Sequence, residues 1–82
     1  MSIIPLLQQA AFEPEMIDTL VAAFETAWAR LERSGSKLAS PAYRGPAQEL
    51  LARRIIEMTQ YGERDPSTLI EEAVTYLERS YA

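Results

Sequence analysis

Apolar side chains recur at Ile17, Leu20, Val21, Phe24, Ala27, Trp28 and Leu31. Steps of three and four set them on one face of a helix. Glu25, Arg30, Glu32 and Arg33 fall mostly elsewhere. Pro14 suits a first turn, where its missing N–H would have no helical partner. Glu13 then falls at the N-cap, and Phe12 and Ile17 take the spacing of a hydrophobic staple. Glu15 and Asp18 place negative charge near the positive end of the helix dipole, with Arg30 and Arg33 near its negative end. Gly35 supplies a stop. The pattern predicts a helix over 14–34, about 31 Å long at 1.5 Å per residue. Such a helix is marginal alone in water, so the rest of the chain must cover its stripe.

Two further stretches repeat the period. Over 46–61, Leu51, Ile55 and Met58 mark one line, Ala47 and Leu50 lie alongside, and Ala52, Ile56 and Thr59 widen it. The breadth of this face predicts burial on more than one side. Glu49, Arg53 and Glu57 are spaced for an ion-pair ladder on the exposed side. Over 66–80, Leu69, Ile70, Ala73, Val74 and Leu77 form the apolar face, continued by Tyr81, with Tyr76 at its margin. Gly62 stops the second helix. Asp65 is a good cap for the third, Pro66 a good first residue, and Thr68 lies three beyond the cap. So short a corner predicts an antiparallel pair.

The connection GSKLASPAYRGP (35–46) carries two glycines and two prolines, which break a helix. It predicts an extra helical turn near residue 41 and a bend at Gly45-Pro46, or else a loop until Pro46 opens the next helix. Ahead of the first helix, residues 1–11 form an arm with Ile3, Ile4, Leu6 and Leu7, too apolar to float freely, so it is expected to fold onto the domain's own core or, alternatively, to pack on a second subunit. The fold class is therefore all-α, a small three-helix bundle in a single domain, with a short N-terminal segment.

Composition narrows the chemistry. Eighty-two residues make one small domain, and 48% hydrophobic content suits a packed core. With neither cysteine nor histidine, disulfides, thiolate and imidazole metal ligation, and Ser-His-Asp or Cys-His catalysis are excluded. A net charge of −4 argues against general binding to nucleic acid or anionic membranes. No apolar run reaches the roughly 20 residues that span a bilayer. The opening MSIIPLLQQAAF has no positive n-region, so it makes a weak signal peptide, and the expected compartment is the cytoplasm.

The remaining acid–base candidates are carboxylates. Glu71 and Glu72 are adjacent, so they diverge by about 100° on a helix. The three glycines are isolated and build no phosphate loop. A DNA-reading second helix would carry basic residues near its start, whereas the helix after the corner carries Glu71 and Glu72. No catalytic residue, metal ligand or cofactor site is assigned.

The runs FEPEMIDTLVAAFETAWARL (12–31) and LARRIIEMTQYGERDPSTLIEEAVTYL (51–77) resemble small uncharacterised all-helical proteins of alphaproteobacteria. The shared pattern is F-x-P-E, then L-A-x-R-I-I-E, then a G-E-R-D corner. The resemblance implies a bacterial, cytoplasmic setting and no activity. The chain departs from it between Pro41 and Pro46, which puts one continuous second helix in question.

The expected role is a small non-enzymatic protein–protein interaction or regulatory module. A DNA-binding regulator and a small enzyme using carboxylates and arginines are the alternatives. A homodimer is expected, because the arm and the broad face of the second helix need covering. Candidate interaction residues are Ile3, Ile4, Leu6 and Leu7 in the arm, Tyr43 in the connection, and Arg54 and Arg64. Tyr43 is expected to pack over a bundle end, and Arg64 to pair with Glu63, Asp65 or a helix-end carbonyl.

Overall fold

A computed structural model describes residues 12–81. It is an all-α bundle of three helices: α1 (Pro14–Arg33), α2 (Arg44–Gln60) and α3 (Pro66–Ser80). Residues 1–11, with Ile3, Ile4, Leu6 and Leu7, lie outside the described residues.

Each helix boundary follows from local chemistry. Pro14 opens α1 behind an extended Glu13, whose side chain makes no cap hydrogen bond. At its other end Gly35 adopts φ +71°, so its own N–H reaches Glu32 O at 3.2 Å and that of Ser36 reaches Leu31 O at 3.2 Å. This is a Schellman closure, which satisfies carbonyls the helix leaves open. Gly62 closes α2 the same way at φ +108°, its N–H on Thr59 O at 3.1 Å and that of Glu63 on Met58 O at 3.0 Å. Asp65 caps α3, its carboxylate accepting from Thr68 N at 3.0 Å and Thr68 Oγ1 at 2.9 Å. Glu63 secures the corner by accepting from Asp65 N at 3.0 Å.

The connection differs from the expectation. α2 starts at Arg44, two residues before the predicted start, and the helix runs through Gly45 and Pro46. The N–H groups of Tyr43 and Arg44 both donate to Ser40 O, at 3.0 and 2.9 Å, and that of Ala47 to Tyr43 O at 2.9 Å. A turn at Ser40–Tyr43 therefore feeds directly into the helix. Pro46 is harmless there, because first-turn amides lack helical partners anyway. The well-formed extra turn lies earlier than residue 41, as a 3₁₀ helix over Lys37–Ala39. Ser36 Oγ caps it by accepting from Leu38 N at 3.2 Å, and Leu38 is buried beneath it.

The chain runs up, down and up. The Tyr43 and Tyr81 rings meet edge-on at 6.0 Å, which sets the start of α2 beside the end of α3. Phe12, Glu13 and Met16 share a groove with Arg64, which sets the start of α1 beside the α2–α3 corner. The core is one cluster contributed by all three helices, with Leu20, Leu31, Leu51, Ile55, Leu69 and Leu77 fully enclosed. Ala47, Ala52, Ile56, Met58 and Thr59 are buried as well, and so is Gln48. α2 packs on α1 and on α3, so its broad face is covered within one chain. The Trp28 indole N–H is buried with no acceptor among the described residues.

Candidate functional site

The sequence-selected residues occupy three separate places. Tyr43 lies at the upper end, where α1 finishes, α2 begins and α3 finishes. It is 39% exposed, its ring edge-on to Tyr81 and 5.9 Å from Lys37 Nζ. Its ring meets Tyr81 at the bundle end and leaves part of its surface in solvent.

Arg54 lies on the α2–α3 flank. Its guanidinium sits 4.6 Å from the centre of the Tyr76 ring, and Nη1 donates to Glu57 Oε1 at 2.7 Å. Its Nε is buried without a partner among the described residues. The flank also carries exposed Glu71, Glu72 and Arg79 in one shallow groove with Arg54 and Tyr76.

This arrangement corrects the predicted ladder. Arg53 pairs with Glu49 at 2.9 Å, as its spacing implies, whereas Glu57 pairs with Arg54. Arg53 turns both Nε and Nη2 to Glu49 Oε1, which leaves Glu57 to Arg54, three residues before it.

Arg64 is exposed at the lower corner and lines a groove with Phe12, Glu13, Glu15, Met16 and Thr19. Among the described residues Arg64 makes no ion pair with Glu63 or Asp65 and no side-chain hydrogen bond to a helix-end carbonyl, contrary to expectation; the two carboxylates instead each accept through one oxygen from Asp65 N and from Thr68. Arg54 and Arg64 line different grooves.

Tyr61, Tyr76 and Lys37 were not singled out by the sequence. Tyr61 is the most exposed large hydrophobic side chain of the described residues, at 87%. It occupies the C-cap of α2, where the helix has ended and no face is turned to the core. An aromatic immediately before a stop glycine is the signal that would have found it.

Among the described residues no group of three or more carboxylates is placed to hold a metal ion. No described helix is long and apolar enough to cross a membrane. No protein-family model, curated protein or solved structure matches the chain.

Proposed function

We propose that this chain is a small non-enzymatic module of the bacterial cytoplasm that works by docking on other protein surfaces. The observation that supports this reading is the distribution of its aromatic residues. Phe24 and Trp28 are spent in the core, while Tyr43, Tyr61 and Tyr76 are held at the surface. Tyrosine offers a large, rigid, amphipathic contact at small entropic cost, which is why it recurs in binding surfaces. Two of these rings are also tied to a cation, Tyr43 to Lys37 and Tyr76 to Arg54. The arm residues Ile3, Ile4, Leu6 and Leu7 belong to the same proposal, as an apolar cover for this chain or for a second subunit.

The experiment compares partners retained by the full chain with those retained by a Tyr43→Ser, Tyr61→Ser, Tyr76→Ser variant, using quantitative mass spectrometry. Loss of a stoichiometric partner from a variant that keeps its helical circular dichroism is the expected result. An unchanged set of partners on that folded variant would count against docking through the tyrosines.

A further inference from the structure

The outward face of α1 carries a pattern the core does not require. At 100° per residue, Glu15, Ala22, Thr26 and Arg33 fall within about 20° of one line along the helix. Asp18, Thr19, Ala29 and Arg30 flank that line within about 60°. The line points away from Leu20, Phe24 and Leu31, which are buried on the opposite side. None of the eight residues is buried, and six of them are exposed. The acids occupy the beginning, small side chains the middle and arginines the end.

The pattern reads the same from either end once charge is exchanged. Position 24 is the midpoint of Glu15 and Arg33, of Asp18 and Arg30, of Thr19 and Ala29, and of Ala22 and Thr26. We propose that this face is the seam of a two-fold homodimer in which α1 packs antiparallel on α1 of a second copy. Glu15 of each protomer then faces Arg33 of its partner on the line itself, while Asp18 and the partner's Arg30 stand at the same level on opposite rims, giving two identical charged clusters. Ala22 and Thr26 meet near the axis, where small side chains let the helices approach at the close end of the usual 8–10 Å range, about 8 Å. The proposal goes beyond the docking role above, on a face that carries none of its tyrosines, and names the partner as a second copy.

Acids at a helix start and bases at its end are ordinary responses to the helix dipole. The dipole does not explain why Glu15 and Arg33 share one outward line with an uncharged waist. On the line itself the waist carries no charge, and Glu25 and Glu32 stand about 80–100° to one side, on the rim that also carries Asp18. Glu15, Asp18, Arg30 and Arg33 form no ion pair among the described residues, whereas Arg53 and Arg54 on α2 are both paired. Two-fold symmetry satisfies both charged ends at once and closes the assembly, whereas head-to-tail stacking would continue into a chain. A single helix pair is a small interface, so the association is weak and reversible.

The test is a charge exchange, read as mass in solution by sedimentation over a concentration series. One full-length variant carries Arg30→Glu and Arg33→Glu, a second carries Glu15→Arg and Asp18→Arg, and a third carries all four changes. Circular dichroism verifies folding. The wild type is expected to dimerise at about 50 mM salt and to weaken about tenfold or more at about 500 mM. Each two-site variant should be monomeric alone, because like charges then meet. Their equimolar mixture should restore the dimer. So should the four-site variant, which keeps the wild-type net charge. A wild-type monomer at low salt, a dimer indifferent to either two-site change, a mixture that stays monomeric, or growth beyond a dimer would each overturn the seam. A dimer indifferent to these changes but lost from the tyrosine variant would overturn the seam alone and leave the docking role standing.

Discussion

The guanidinium of Arg54 stacks on Tyr76 at 4.6 Å while its outer nitrogen holds Glu57 at 2.7 Å, so one cation joins α2 to α3 and stabilises a carboxylate in the last turn of its own helix. That carboxylate sits at the unfavourable end of the α2 dipole, and the arginine offsets the repulsion. A double-mutant cycle of Arg54→Ala and Tyr76→Ala, measured by urea unfolding, should give a coupling of about 0.5–1 kcal/mol for a partly exposed cation–ring pair. Strict additivity would mean that the stacking is geometry without energy. Tyr61→Ala, with its ring almost wholly in solvent, should change stability by less than about 0.5 kcal/mol.

The two closing glycines should respond unequally to alanine. Neither would meet another atom within 4 Å of an added Cβ, so any cost is conformational. Gly35, at φ +71°, lies near the left-handed helical region, which costs a non-glycine residue about 1–2 kcal/mol. Gly62, at φ +108°, lies farther from that minimum. Gly62→Ala should therefore lower the thermal midpoint more than Gly35→Ala. Equal effects would mean that the α2–α3 corner relaxes its backbone to accommodate the side chain.

Leu38 is the anchor of the α1–α2 connection. It is 2% exposed, held over the bundle end by the Ser36-capped turn. Leu38→Ala should cost about 2–5 kcal/mol, the range for an enclosed leucine, although the residue belongs to a three-residue helix. A cost below about 1 kcal/mol would show the turn closing over the cavity. Chemical unfolding of the purified variant decides between these outcomes.

Leu38 also marks where sequence reasoning stops. The helix faces were legible because period 3.6 is a property of neighbours along the chain, and Asp65-Pro66 announced the α3 cap just as directly. A lone leucine among Gly35, Ser36, Lys37 and Ser40 has no period, so its burial depends on which helix ends meet above the core. Gly45 and Pro46 read as breakers, yet the first turn of a helix absorbs both. The surface was less legible than the core. Tyr43, Arg54 and Arg64 could be picked as positions, but the Arg54–Tyr76 contact joins two helices and depends on how each is rotated about its axis. The charge symmetry of α1 was present in the residues, but it acquires meaning only once the opposite face is known to be buried.

Thr59 offers a test of how this core handles a polar atom. It is wholly enclosed, and Oγ1 donates to Ile55 O at 2.9 Å, one helical turn back. That carbonyl also lies where the Thr59 amide reaches it in a regular helix, so removing the hydroxyl does not strand the acceptor. Valine preserves the branched shape and replaces an enclosed polar atom with a methyl group. Thr59→Val should leave stability within about 1 kcal/mol of the parent, because only a modest net hydrogen bond is lost. Thr59→Ser keeps the hydroxyl but removes a buried methyl, at a cost of about 0.8 kcal/mol or more from the lost packing. Thr59→Ala loses both and should be the least stable of the three. Unfolding curves that place valine well below serine would show that the hydroxyl, rather than the shape, holds this position.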